Sequence, residues 1–569
     1  MPQTLVRCPT FKCLPRLTLL EDNAIFMDED PNMQSIPETP SSRLTTQIIS
    51  ILLQLQPAKD KVIRFRCTQI IAHLINNLDS VDDELFHHIR LGLLKRLRDK
   101  ESMIRVQAVY GLGRLAGELD ADHMDEDDSD DDSGGGVLEK LLDVLQNDPS
   151  VEVRRSLLLN LPFTPSTLPY LLERARDLDA SIRRALYSRL LPALGDFRHL
   201  SLTHREKLLR WGLRDRDDNV KKATAKLFRE RWIEDCVRPQ DPEDPAEAGH
   251  VSSPSAEGLL ELLERIDVVN AGTDGGIAID AMREFWQGRP DYCDFISFDE
   301  HYWQELSPES AFVARTFNDF ASSSSLFEDK MPEVTRLAFL LQTNINTLVD
   351  RVQQSAFQAD SEEDSVHQEF IVEQLLHIAL TLDYSDEVGR RTMFSLMREA
   401  LALAELPEES TKLVTEVLRI ACGSNAHSEK EFSDVVLEAI AEVHDTIMGE
   451  PPPEKAEQDA DDSFHSARSA LSGESTPRAQ IDQEYDEERA VKEIMVNMKC
   501  LHIAQCMLQN VEQPLGQNTA LVTMLNNLVV PAVRSQEAPI RERGLLCLGL
   551  CCLLDKVNNG LSFLLDAVY

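Results

Sequence analysis

Cationic side chains recur in one local setting along the first half of the chain. An acid or turn residue leads to a β-branched residue and then to arginine or lysine. The phrase runs Asp60-Lys-Val-Ile-Arg64, Asp99-Lys-Glu-Ser-Met-Ile-Arg105 and Asp148-Pro-Ser-Val-Glu-Val-Arg154. It returns as Asp179-Ala-Ser-Ile-Arg183, Asp217-Asp-Asn-Val-Lys221 and, far downstream, Glu537-Ala-Pro-Ile-Arg541. Four of these carry a second cation: Arg64/Arg66, Arg154/Arg155, Arg183/Arg184 and Lys221/Lys222. Lys95, Arg96, Arg98 and Lys100 form a further basic turn. Cations at one place in a repeated unit line up along one face, and such a stripe suits a phosphate backbone. No aromatic stacking platform and no recognition-helix signal accompany it, so the expected contact is with duplex backbone and sequence-nonspecific. The first cation of each phrase has another duty open to it, pairing with an acid of the adjacent repeat. The second (Arg66, Arg155, Arg184, Lys222) has none and is the stronger phosphate candidate.

Other chemistry finds no support in the sequence. Gly111-Leu-Gly113 lies within a helical pattern and lacks the Lys-Ser/Thr ending of a phosphate loop. His87 and His88 are adjacent, point to different helix faces and suit a metal poorly. The 11 cysteines are scattered, and Cys547, Cys551 and Cys552 sit in an apolar run where thiols act as small buried hydrophobes. We therefore expect no catalytic residue, no metal, no cofactor and no enzyme activity. Two modification candidates stand out: Ser129 in Asp-Asp-Ser-Asp-Asp-Asp, suited to an acid-directed kinase, and Thr476 in Thr-Pro-Arg, suited to a proline-directed one.

The elements that must carry these residues are helices. The phrase cations Arg64, Arg105, Arg154, Arg183 and Lys221 follow one another at 41, 49, 29 and 38 residues. These intervals bracket the ~40–47 of HEAT-type helix pairs. Between them run helices with 3–4 spacing, such as Leu85, Ile89, Leu93 and Leu97. One helix pair cannot bury its apolar face alone, so stacking is obligatory. The expected fold is all-α, a HEAT-repeat α-solenoid with disordered acidic insertions.

The expected divisions are a partly disordered segment 1–57, repeats 58–118, an acidic loop 119–136 and repeats 137–236. A linker 237–256, helical repeats 257–448, a disordered acidic insertion 449–489 and a further HEAT domain 490–569 follow. No run approaches the ~20 apolar residues of a membrane span. With 58 basic and 98 acidic residues the formal charge is −40, which at first sight repels nucleic acid. Partition reverses that inference. Ten acids fall between Glu118 and Asp132, whereas Lys140–Asp235 holds 19 Lys/Arg against 14 Asp/Glu, and Lys59–Glu118 holds 11 against 8.

Several stretches carry a resemblance. Asn147-Asp-Pro-Ser-Val-Glu-Val-Arg-Arg-Ser-Leu-Leu-Leu-Asn-Leu161, Leu172-Glu-Arg-Ala-Arg-Asp177, Arg183-Arg-Ala-Leu-Tyr-Ser-Arg189 and Trp211-Gly-Leu-Arg-Asp215 resemble the condensin HEAT-repeat subunits of the CAP-G family in their fungal form. Lys499-Cys-Leu-His-Ile-Ala-Gln-Cys-Met-Leu508 and the run Arg541–Asp555 resemble that family's C-terminal domain. The likeness is strong over 59–299 and 490–556 and weaker between. It implies a non-SMC subunit that binds the kleisin and, with it, clamps double-stranded DNA in a basic groove during mitotic chromosome condensation. SMC ATPases are partners through the complex, and neither membrane nor homo-oligomer is expected. The implied location is the nucleus and mitotic chromosomes, with a cytoplasmic pool. Relatives begin with more HEAT sequence and continue beyond the C-terminal domain's start, so the chain is expected to be truncated. The alternative from the same features is a HEAT-repeat nuclear transport receptor or another protein-binding scaffold.

Overall fold

The computed structural model describes residues 40–78, 83–118, 136–237, 252–273, 275–324, 327–355, 362–423, 425–448 and 477–554. Among these every regular element is helical and no strand occurs. The chain divides into two compact units: the first runs to Ile266 and takes in Gln287–Arg289, the end of a later helix, and the second comprises Asp267–Trp286 and the chain from Pro290 on.

The first unit is a run of helix pairs: α1 (Pro40–Leu55) with α2 (Lys61–Ile75), α3 (Asp83–Leu97) with α4 (Ser102–Glu118), and α5 (Val137–Asn147) with α6 (Val151–Asn160). Then come α7 (Leu168–Leu172) with α8 (Ala180–Ala185), α9 (Leu202–Leu213) with α10 (Asp218–Lys226), and a closing α11 (Ala256–Arg265). Both α8 and α10 run on through π-helical turns, Leu186–Leu190 and Leu227–Trp232. The second helices α2, α4, α6, α8 and α10 lie side by side, and the first helices pack behind them. Inward positions of α4 show the pattern: Ile104, Ala108, Val109, Leu112 and Leu115 are all buried. Asp60, Asp179 and Asp217 cap the starts of α2, α8 and α10 by accepting backbone amides, as their place in the phrase predicts. Ser150, at the same place before α6, makes no side-chain cap bond.

Four arginines join each repeat to the next. Arg64 Nε and Nη2 hold the carboxylate of Asp99 at 2.9 and 3.3 Å, and Arg105 holds Asp148 at 2.7 and 2.9 Å. Arg154 holds Asp177 at 2.9 Å through both nitrogens, and Arg183 holds Asp215 at 2.6 and 2.9 Å. The remaining nitrogen, Nη1, turns back onto the carbonyls of its own loop: Ala58 and Lys59, Asp99 and Lys100, Asp148, and Asp177 and Leu178. Each aspartate also accepts the amide two residues on, from Glu101, Ser150, Asp179 and Asp217. The bidentate fork uses the guanidinium's planar geometry, and every group removed from water keeps a partner.

Close approach of the helices rests on Gly111 and Gly113. A Cβ on Gly111 would meet the Leu93 side chain at 2.8 Å and the Ala72 backbone of α2 at 3.3 Å. A Cβ on Gly113 would meet the Asn160 carbonyl of α6 at 2.9 Å. Two glycines, two positions apart, thus fit α4 between both neighbours.

The second unit continues with α12 (Ile277–Gly288), α13 (Pro308–Ser324), α14 (Val334–Ser355), α15 (Glu362–Ala379), α16 (Glu387–Leu401), α17 (Glu408–Cys422) and α18 (Ala426–Met448). It closes with α19 (Pro477–Gln509), α20 (Thr519–Met524) and α21 (Ala538–Leu554). Its first core is aromatic: Phe285, Trp286, Tyr292 and Phe317 are buried edge to face, and the Trp286 indole donates to Thr316 Oγ1 at 3.2 Å. Farther on, Arg543 of α21 pairs with Glu408 of α17 at 2.8 and 3.0 Å, and Lys499 of α19 donates to Thr411 Oγ1 at 2.7 Å and to the Leu406 carbonyl. Helix α19 begins at Pro477, inside the segment whose composition suggests disorder through 489. Proline at a first helical turn followed by Glu484, Glu487, Glu488, Arg489 and Ala490 supplies the helix-forming sequence that accounts for it.

The ladder predicts where the molecule is fragile. Burial by itself would raise the Asp177 carboxyl, but bonds from Arg154 and the Asp179 amide, with the charges of Arg154 and Arg174, outweigh it and hold the group below the usual carboxylate range. Asp99 and Asp215 are lowered by the same balance. A carboxylate held below its unfolded value contributes stability that is present above pH ~4 and lost as pH falls through the folded value. Acid denaturation is therefore expected to begin below pH ~4, and Asp177→Asn should remove part of that acid sensitivity. Asp177→Ala strands a buried arginine and should cost ~3–5 kcal/mol in thermal or urea unfolding.

Candidate nucleic-acid interface

The ladder decides which sequence-predicted cations are available. Arg64, Arg154 and Arg183 spend all three guanidinium nitrogens on Asp99, Asp177, Asp215 and loop carbonyls, and their side chains are only 15%, 9% and 7% exposed. These three leave the phosphate set, because contact with DNA would require breaking a satisfied ion pair. Arg96 is drawn in the same way, donating to Asp99 at 3.0 Å. Lys221 stands at the ladder position but bonds Asp218 at 3.3 Å on the surface.

Counting from each ladder residue gives the register of the outward face. Positions two before, one after and five after lie one above the other on a helix. On α6 these are Glu152, Arg155 and Leu159; on α8, Ser181, Arg184 and Ser188; on α10, Asn219, Lys222 and Lys226. All nine are exposed. Arg155, Arg184 and Lys222 therefore hold one equivalent position on three adjacent helices, and none has a hydrogen-bond or ion-pair partner among the described residues. Arg66 breaks the register. It sits two places after Arg64, where the equivalent residue is Phe65, and it is half-buried, donating to Gln69 Oε1 at 2.9 Å and lying over the Phe65 ring. Its place off the row is a matter of phase: one residue turns the side chain about 100° around the helix.

Between α8 and α10 lies a groove of about 640 Å³ lined by Arg184, Lys222, Lys226 and Arg231, with Glu230 as its one acid. Lys226 and Arg231 were missed by the phrase. Lys226 is one turn beyond Lys222, and that i, i+4 spacing is the signal that marks it. Lys95 on the last turn of α3, and Arg98 and Lys100 on the loop to α4, are exposed away from the helix row. Arg98 there belongs to a second set: the residue preceding the ladder aspartate is arginine at Arg98, Arg176 and Arg214, all exposed, and Arg176 stacks over Trp211 at 5.6 Å. Ser129 and Thr476 lie outside the described residues.

Nucleophilic chemistry has no foothold at the place that comes nearest to it. Cys506 Sγ lies 3.6 Å from His502 Nε2, but burial pushes the thiol up to about 12 and lowers the imidazole, so the pair stays thiol and neutral ring at neutral pH. His87 and His88 are both exposed, and no group of three or more potential metal ligands occurs among the described residues. No helix there is long and apolar enough to cross a membrane.

Stacked helix pairs, tied rung by rung and presenting one face of parallel helices, define a HEAT-type α-solenoid, a scaffold class. The family described as "Nuclear condensing complex subunits, C-term domain" matches residues 499–565. The chain is 37% identical over 530 residues to condensin complex subunit 3 of Schizosaccharomyces pombe, covering 91% of this chain and 55% of that protein. To the same subunit of Saccharomyces cerevisiae it is 31% identical over 556 residues, covering 90% and 50%. A crystal structure of the S. pombe condensin Cnd3-Cnd2 subcomplex matches with TM-score 0.71 at 34% identity, covering 94% of this chain and 58% of that one. The chain belongs to the condensin subunit 3 family, and it spans about half the length of the curated relatives it matches.

Burial separates the two cations of each pair in a way stability reports. Arg155→Glu, Arg184→Glu and Lys222→Glu should each leave the melting temperature within about 2 °C of the parent, as exposed unpartnered sites do. Arg154→Glu and Arg183→Glu should lower it by several degrees in the same circular-dichroism melt.

Proposed function

We propose that the chain is the HEAT scaffold of a condensin complex, a non-SMC subunit that binds the kleisin and clamps duplex DNA during mitotic chromosome condensation. On this reading the SMC ATPases are reached through the complex, and the chain works in the nucleus and on mitotic chromosomes, with a cytoplasmic pool. The observation that carries it is the aligned set Arg155, Arg184 and Lys222: the last two line a groove with Lys226, whose ammonium pairs with the groove's single acid, Glu230, at 3.5 Å, and Arg155 holds the equivalent position on the next helix. It stands in a chain similar to a Cnd3 crystallised with Cnd2, and that likeness supports the kleisin as partner. Cations one helix apart follow a phosphate track without reading bases, since the side chains that reach the groove are long, flexible point charges or guanidinium forks. The negative total does not oppose this, because field strength at the groove is set by charges within about a Debye length, ~8–10 Å at physiological salt.

The test is a gel shift of duplex DNA of about 35 bp with the chain and the kleisin segment across a salt series. With six to ten phosphate contacts, affinity should fall by ~10³–10⁵ between 50 and 200 mM salt. Exchanging Arg155, Arg184, Lys222 and Lys226 for glutamate should weaken binding on every sequence alike and flatten the salt slope by about one per residue. Unchanged affinity and slope in that variant would sink the site. Capture of a basic import peptide in place of DNA would favour a transport receptor instead.

A further inference from the structure

The groove between α8 and α10 has a depth that a phosphate track does not use. Arg184, Lys222 and Lys226 stand exposed at its rim, whereas Pro192 and Ala223 are half-buried and Leu227 is buried, and these three form an apolar floor. Adjacent helices pack ~8–10 Å apart, so a duplex lying across them meets the rim and leaves the floor empty. The volume of about 640 Å³ falls within the range of small-molecule sites. Both π-helical turns, Leu186–Leu190 and Leu227–Trp232, contribute to the walls, and a π turn is wider than the α turn it replaces. Each is pinned from behind. Tyr187 donates its hydroxyl to the Leu208 carbonyl of α9 at 2.8 Å, and Trp232 stacks on Phe197 with ring centroids 4.8 Å apart. The walls are therefore preformed, and a ligand need not order them.

The charges around the groove select the ligand. Arg184 stands on one wall, and Lys222, Lys226 and Arg231 run along the other over roughly two and a half turns. Arg184 and Lys222 have no partner among the described residues. Lys226 pairs with Glu230 at 3.5 Å, with both side chains well exposed, and a phosphate displaces such a surface pair at little cost. Arg231 is held at 3.4 Å by Asp235, whose side chain is only 10% exposed, and is the least available of the four. The Ser188 hydroxyl and the Asn219 side-chain amide add neutral donors, again without a partner among the described residues. Cations spread around a groove suit phosphates spread around a body, whereas a nucleotide gathers its phosphates at one end. The apolar floor suits the C–H face of a small ring. We infer that the α8–α10 groove binds a small ring bearing several phosphates, of the inositol polyphosphate class, with phosphates on Arg184, Lys222 and Lys226 and the ring over Ala223 and Leu227. Shared use of Arg184 and Lys222 makes this ligand a competitor of duplex DNA, and that consequence alone rests on the DNA reading.

The probe is soluble inositol hexakisphosphate, titrated calorimetrically into the full chain at physiological salt. Arg184→Glu/Lys222→Glu should lose at least about tenfold in affinity, and Glu230→Gln should gain about threefold as the rival carboxylate goes. Ala223→Met fills the floor and leaves every cation in place. It should weaken the ligand about tenfold and keep duplex affinity within about twofold; Arg155→Glu, outside the groove, should do the reverse. A thermal melt of each variant shows that it is folded. Tripolyphosphate, which has the charge without the ring, should bind the parent about tenfold more weakly at equal ionic strength, a comparison that needs no variant. Flotation with vesicles carrying phosphatidylinositol 4,5-bisphosphate identifies the source: capture that Ala223→Met abolishes assigns a lipid headgroup to the same groove, and tight soluble binding without capture assigns a free ligand. Parent-like ligand affinity in folded Ala223→Met, tripolyphosphate bound as tightly as the ring, or binding in neither the soluble nor the vesicle arm overturns the pocket. If the parent binds no duplex, the DNA reading falls and the titration still decides the pocket.

Discussion

One contact organises the first unit: an arginine that grasps the aspartate of the following repeat with two nitrogens and its own loop with the third. Each half would be costly alone. A buried guanidinium without its carboxylate is a stranded charge, and a buried loop carbonyl without a donor is a lost hydrogen bond. Joined, they leave no nitrogen of Arg154 unpartnered and hold Asp177 at 2% exposure. The consequence reaches beyond stability. A ladder arginine fixed at the start of α2, α4, α6 and α8 fixes the rotation of those helices about their axes. The residue after it must then turn away from the ladder, and Arg155 and Arg184 face outward for that reason; on α10 the buried Val220 sets the same phase and brings Lys222 into the row.

Much of this was legible from the residues, though not all of it in the spacing that draws the eye. The phrases locate the second helices, and the irregular intervals of 41, 49, 29 and 38 residues look like imperfect repetition. The invariant is shorter. Asp99 to Arg105, Asp148 to Arg154, Asp177 to Arg183 and Asp215 to Lys221 are each six residues, because the aspartate ends one rung and the arginine begins the next. What varies is the stretch between, which only the fold closes: nothing local ties Arg64 to Asp99, 35 residues on. Arg66 shows how narrow the margin is. Adjacent cations read as a pair, but a shift of one residue moves it off the row and onto Gln69.

Net charge misleads for a related reason. A total of −40 is a property of the chain, whereas recognition responds to the charges that share one surface. Helical phase sorts the chain's charges by face: Asp99, Asp177 and Asp215 are neutralised within the ladder, while the cations one step along stay exposed. Three of the 14 acids of Lys140–Asp235, namely Asp148, Asp177 and Asp215, are therefore among the least able to oppose an anion in the groove.

Lys221 brings the two roles of this position into opposition. It occupies the ladder place, yet lysine's single ammonium lacks the planar fork that spans both carboxylate oxygens while a third nitrogen reaches back to its own loop. It pairs with Asp218 on the surface instead, 44% exposed, and the ladder stops there. The repeat where the structural arginine is lost is also the one whose outward row carries two lysines, Lys222 and Lys226. Arg541 in the second unit marks the converse case: its Nη1 keeps the bonds to its own loop, at Ser535 and Gln536, with Ser535 standing where the ladder aspartate stands elsewhere. The loop half of the contact thus persists without an aspartate in that loop, and at Lys221 the whole arginine contact gives way to a surface cation. Rigidity and charge are allotted at one helix position, and the choice between arginine and lysine there decides which of them a repeat contributes.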